Sequence, residues 1–121
     1  MAIEFAIEDR QAGRDAAIVA VAGEIDLFTA PEFKQRIDAA IDRDARVLVV
    51  DLTETTFVDS SSLGVLIGAH RRLADRGGAM AVACANEALV KTFKITGLDG
   101  LLRLAPSLEA ALADEAIGAR R

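Results

Sequence analysis

Asp59, Ser60, Ser61 and Ser62 stand in a row just before the apolar stretch Leu63-Gly64-Val65-Leu66. Each of the four is a good helix N-cap, because a short polar side chain can accept a hydrogen bond from the first free backbone N–H groups. A helix needs one cap, so this turn holds more polar side chains than capping requires. A hydroxyl left over at a helix N-terminus sits where unpaired N–H groups and the helix dipole favour added negative charge. Phosphorylation of such a hydroxyl adds about −1.5 to −2 of charge. The helix end would tolerate that charge, while the neighbouring carboxylate of Asp59 would repel it. The plainer alternative is that one serine caps and the others are small polar surface residues.

Nucleophilic catalysis fits the same turn poorly. A hydrolase elbow wants Gly-x-Ser-x-Gly, and the run Asp-Ser-Ser-Ser-Leu-Gly lacks the first glycine. A nucleophile also needs a base. His70 is the only histidine and lies ten residues beyond Ser60 on the same expected helix. At a rise of about 1.5 Å per residue the two are roughly 15 Å apart. His70 shares an apolar stripe with Leu63, Leu66 and Ile67, which makes it a structural histidine. The single cysteine, Cys84, cannot form an internal disulfide, and one cysteine with one histidine gives no metal-site spacing. It reads as a packed thiol in the buried strand Met80–Ala85. No Gly-x4-Gly-Lys-Ser/Thr phosphate loop occurs.

The elements that must hold the serine turn follow from periodicity. Ile3, Phe5 and Ile7 alternate with polar or small residues and predict a half-exposed edge strand. A loop over Asp9–Asp15 leads to a buried strand at Ala17–Ala22, paired as a hairpin with the first. Thr29-Ala30-Pro31-Glu32 reads as a capping box with proline in the first turn. Phe33, Ile37, Ala40 and Ile41 then mark a helix ending near Arg43. Arg46–Leu52 is a β-branched run expected to be a central parallel strand, followed by a connection to the Ser60 turn. The second helix ends at Gly77-Gly78, and Ala79–Ala83 is the next strand. Asn86 caps a third helix carrying Leu89, Val90 and Phe93. A short strand at Leu101–Leu104 and a final helix capped by Ser107 complete the order β-β-α-β-α-β-α-β-α. Strands alternating with helices predict an α/β fold with a mixed, mostly parallel sheet and about four helices.

Composition sets the outer bounds. The chain of 121 residues fits one domain, with 52% hydrophobic residues but no Trp or Tyr, so the core is aliphatic. A net charge of −5 argues against direct nucleic-acid binding. The N-terminus has no charged-then-apolar leader pattern, and no apolar run nears the ~18 residues of a membrane span. A cytoplasmic protein without a membrane partner is expected, organised as one domain over residues 1–118 with a short tail at 119–121 that contains Arg120 and Arg121.

The stretch Val50-Asp51-Leu52 … Phe57-Val58-Asp59-Ser60-Ser61-Ser62-Leu63-Gly64-Val65-Leu66 resembles the signature of STAS domains, and among them the bacterial anti-sigma-factor antagonists. Gly23-Glu24-Ile25-Asp26 followed by Thr29-Ala30 is similar to the loop before their first helix. Arg76-Gly77-Gly78, Val90-Lys91-Thr92-Phe93 and Gly97-Leu98 extend the likeness over nearly the whole chain. The resemblance implies a single STAS-like domain that works as a partner switch and is not an enzyme. In the family, the serine after the aspartate is phosphorylated by an anti-sigma factor with serine kinase activity; here that serine is Ser60. Unphosphorylated, the antagonist binds the anti-sigma factor and frees a sigma factor. Phosphorylated, it lets go until a serine phosphatase resets it. ATP and metal belong to those partners, so no cofactor is expected in this chain. Asp26, Thr29, Asp59 and Ser61 fall to the docking surface. Many members carry glycine where this chain has Ser62, so Ser61 and Ser62 stay as rival acceptors. The alternative function is a structural STAS subunit of a larger complex, such as a lipid-transport system.

Overall fold

Val47, Leu48, Val49 and Val50 are all fully buried, which requires cover on both faces of the strand that carries them. The computed structural model, which describes residues 4–114 and 117, supplies that cover. β3 (Val47–Val58) is the middle strand of a five-stranded sheet ordered β1-β2-β3-β4-β5. β1 (Ala6–Gln11) pairs antiparallel with β2 (Ala16–Ile25) and forms one edge. β4 (Ala79–Ala83) and β5 (Arg103–Ala105) continue the sheet in parallel on the other side.

Successive residues of a strand point to opposite faces. Leu48, Val50 and Leu52, with Val19, Val21 and Val82, face one layer. That layer comes from α1 (Ala30–Asp42), α2 (Ser60–Asp75) and α3 (Glu87–Ile95), through Phe33, Ile37, Leu66, Leu73 and Phe93 among others. Val47, Val49, Ile18, Ala81 and Ala83 face the opposite side, where Ala111 of α4 (Leu108–Ala113) and Ile117 cover them. The expected order of strands and helices is the observed one, with one added 3-10 turn at Leu98–Gly100. Asn86 and Ser107 cap α3 and α4 as expected, each accepting from backbone N–H groups of its helix.

Several boundaries differ from expectation. Among the described residues β1 starts at Ala6, after Phe5, and runs on through Asp9 to Gln11, inside the stretch expected to be loop, while Ile3 of the expected strand lies outside those residues. Its charged residues belong to an edge strand because Asp9 is held by Arg36 of α1 at 2.7 Å and by Arg43 at 3.0 Å. Among the described residues the last strand sits at Arg103–Ala105, because the 3-10 turn draws the Leu102 N–H onto the Leu98 carbonyl. The largest correction concerns β3. Thr53–Phe57 was expected to be a connection, yet it is strand, paired with Ala22–Ile25 across register shifts. Threonine-rich backbone is well suited to a strand, and the buried Thr55 hydroxyl donates to the Val21 carbonyl at 2.8 Å.

The turn from α2 to β4 carries the glycine pair. Gly77 has φ of 73°, a left-handed value that ends the helix. A Cβ on Gly78 would lie 2.1 Å from the Arg46 carbonyl oxygen, so only glycine lets the turn pass the start of β3. No helix among the described residues is long and apolar enough to cross a membrane. The expected tail at 119–121 lies outside the described residues.

Candidate functional site

Two connections meet at the C-terminal ends of β2 and β3, where parallel sheets commonly place their sites. The register pairs Glu24 with Phe57 and Ile25 with Val58. Beyond it, the Asp59 N–H donates to the Ile25 carbonyl at 3.1 Å. The turn that starts α2 is therefore bonded to the loop that leads into α1.

Asp59 is the N-cap of α2, in extended conformation (φ −96°, ψ 177°). Its Oδ1 accepts from the Ser62 N–H at 3.0 Å, from Ser61 Oγ at 2.8 Å and from Ser62 Oγ at 2.9 Å. These donors hold the Asp59 carboxyl below the usual carboxylate range, the Ser62 N–H most and the Ser61 hydroxyl next, against a smaller opposing effect of burial. Ser62 is fully buried beneath the turn. Ser60 and Ser61 are both exposed. Ser61 is committed to Asp59, whereas the Ser60 hydroxyl has no hydrogen-bond partner among the described residues. Capping thus falls to the aspartate, and the three serines divide into one buried, one tied and one free.

The loop before α1 corrects the expected capping box. Thr29 occupies the N-cap position but its side chain makes no cap hydrogen bond. Asp26 does the local work instead, its Oδ1 accepting from the N–H groups of Phe28 at 2.9 Å and Thr29 at 3.1 Å. Thr29 Oγ1 turns back, accepts from the Asp26 N–H at 2.9 Å and donates to the Glu24 carbonyl at 3.0 Å. Asp26 and Thr29 thus lock each other. The lock turns Leu27 and Phe28 outward, with 73% and 88% of their surface exposed. Sequence reasoning passed over these two residues. The signal available was a pair of adjacent bulky apolar side chains between the turn-forming residues Asp26 and Thr29.

Leu27, Pro31 and Lys34 on the α1 side and Ser61, Gly64 and Val65 on the α2 side line an open, mostly apolar groove between the helices. Arg72 of α2 reaches Asp38 and Asp42 of α1, both at 2.9 Å, and holds the groove walls together. His70 is partly buried near the far end of α2, so it does not join the serine turn. Cys84 is buried, and burial raises its thiol pKa, which fits a packed thiol. Among the described residues no group of three or more His, Cys, Asp or Glu side chains is placed to hold a metal ion.

The chain matches the STAS domain family model over residues 6–111. It is 33% identical over 102 residues to an anti-sigma-B factor antagonist of Listeria monocytogenes, which covers 84% of this chain and 90% of that one. An anti-sigma factor antagonist from Mycobacterium paratuberculosis superposes with a TM-score of 0.78 at 31% identity over 91% of each chain. SpoIIAA of Bacillus in its phosphorylated form shares the fold, with a TM-score of 0.70 at 24% identity over 96% of this chain and all of that one (100%).

Proposed function

The chain belongs to the STAS domain family, and we propose that within it this protein is an anti-sigma-factor antagonist, switched by phosphorylation of Ser60. One observation carries the reading: Ser60 is exposed with an unengaged hydroxyl at the start of a 16-residue helix, while its two serine neighbours are bonded to Asp59. The relatives named as anti-sigma factor antagonists support the role.

In its unphosphorylated state the protein binds an anti-sigma factor and releases the sigma factor that the latter holds. The docking face is the end of the sheet where the Asp26–Thr29 loop, Asp59 and Ser61 adjoin. Leu27 and Phe28 present apolar surface to the partner, and Asp26 and Thr29 hold them out. The anti-sigma factor also acts as a serine kinase and transfers phosphate to Ser60. The added charge of about −1.5 to −2 lands beside the Asp59 carboxylate and inside the contact surface. Burying it there costs desolvation and like-charge repulsion, so the complex dissociates. A serine phosphatase restores the binding form. The chain is the substrate in this cycle and performs no catalysis, and its place of action is the cytoplasm.

The test is intact mass after incubation with ATP and the host's anti-sigma-factor kinase. One added phosphate is expected, lost in Ser60→Ala. Full phosphorylation of Ser60→Ala would refute the assignment of the acceptor. No phosphate on the unaltered chain would favour the structural-subunit alternative.

A further inference from the structure

We propose that Asp59 is a positioning residue that selects the phosphoacceptor: by engaging Ser61 and Ser62 through one carboxylate oxygen, it leaves Ser60 as the hydroxyl that is modified. The inference rests on the phosphoacceptor reading above and adds how one serine of three is chosen.

Ser62 is excluded twice over, by burial and by its 2.9 Å hydrogen bond to Asp59. Burial does not separate Ser60 from Ser61, since both are exposed. Hydrogen bonding does. Ser61 Oγ donates its single proton to Asp59 Oδ1 at 2.8 Å. The same oxygen is anchored by the Ser62 N–H, so it cannot follow Ser61 outward without uncapping the helix.

The transfer chemistry makes that engagement costly. The serine oxygen attacks the γ-phosphorus of ATP, the bond to the β,γ-bridging oxygen breaks, the Oγ–P bond forms and ADP leaves. The hydroxyl proton passes to a base on the kinase. Ser61 would first have to give up a hydrogen bond to a charged acceptor. It would then meet an incoming polyphosphate with a carboxylate 2.8 Å from the attacking oxygen. Asp59 is a weak substitute base, because its hydrogen-bond donors hold its pKa down. Ser60 bears neither burden. The loss of one charge-assisted hydrogen bond corresponds to a preference of about ten- to a hundredfold.

The test compares the unaltered chain, Asp59→Ala and Asp59→Asn, each phosphorylated to completion with ATP and the host's anti-sigma-factor kinase. Fragment mass spectrometry then reads the ratio of phosphate on Ser61 to phosphate on Ser60. The ratio is independent of how well each variant docks. Asp59→Asn keeps an oxygen that accepts from Ser61, so its phosphate should remain on Ser60. Asp59→Ala frees Ser61, and the ratio should rise at least tenfold. Phosphate confined to Ser60 in Asp59→Ala, or divided between both sites in the unaltered chain, would overturn the selection. A second arm needs no kinase: the α–β proton couplings of Ser61 should show one χ1 rotamer in the unaltered chain and averaging in Asp59→Ala. Averaging in the unaltered chain would also overturn it. A chain that takes no phosphate in any form counts against the phosphoacceptor reading, while the couplings still decide whether Asp59 holds Ser61.

Discussion

The Asp59 backbone N–H donates to the Ile25 carbonyl at 3.1 Å, which fastens the serine turn to the end of β2. The two connections at this end of the sheet are thereby one surface. A change in charge at the turn is felt beside the loop that exposes Phe28. The proposed switch needs no conformational change: an altered surface is enough to change a partner's affinity.

Ser60→Asp should fold as the unaltered chain does, because Ser60 is exposed and its hydroxyl holds nothing in place. Exposed substitutions of this kind shift stability by no more than about 0.5 kcal/mol. Affinity for the anti-sigma factor should fall by about tenfold or more, which corresponds to roughly 1.4 kcal/mol. Calorimetric titration of both forms reads this directly. Binding equal to that of the unaltered chain would argue against electrostatic release.

Phe28→Ala removes an aromatic side chain that is 88% exposed, so its melting temperature should be unchanged. Its affinity for the partner should drop by about 1–3 kcal/mol if Phe28 is an anchor of the contact. Thr29→Val should weaken binding less, through a loosened loop, since the hydroxyl that braces Asp26 is lost. A Phe28→Ala protein that binds normally would remove the loop from the docking face.

Asp59 also sets a dependence on pH. Its carboxyl titrates lower in the folded chain than when unfolded, because the Ser62 N–H and the Ser61 hydroxyl favour the ionised form. Just below the ordinary carboxylate pKa of about 3.9 the unfolded chain therefore binds more protons. Its contribution to stability is fully present above that value and is lost as the pH falls through the lower, folded pKa. Urea unfolding at descending pH should show a shallower acid loss for Asp59→Asn than for the unaltered chain. Asp9, held down by Arg43 and Arg36, adds to the slope in the same direction and remains in both proteins. Parallel curves would contradict the assigned role of the cap.

Gly78→Ala places a Cβ against the Arg46 carbonyl, 2.1 Å away before any relaxation. Overpacking against backbone costs about 1–3 kcal/mol. A lower melting temperature is expected, with no change in which serine is phosphorylated. An unchanged melting temperature would show that the α2–β4 turn shifts freely.

Element order was legible along the chain because each element advertises itself locally. The stripe Phe33, Ile37, Ala40, Ile41 closes a helix face, and all four residues are buried. Asn86 and Ser107 cap their own helices through residues two or three positions away, which is a local interaction. The Asp-Ser-Ser turn likewise announced a helix start with surplus hydroxyls. What the chain order could not decide was everything settled by distant partners. The polar stretch Thr53–Phe57 is strand because Ala22–Ile25, some thirty residues earlier, lies beside it. Asp9 sits in a strand because two arginines of α1 and its end reach it. Thr29 and Glu32 have the spacing of a capping box, yet the threonine is spent on Asp26 and the Glu24 carbonyl. The three serines are nearly equivalent as text, and rotation around the helix start separates them. Ser62 points into the core, while Ser60 and Ser61 both face solvent and only Ser61 of those two is turned onto the aspartate, since adjacent residues of a helix stand about 100° apart around its axis.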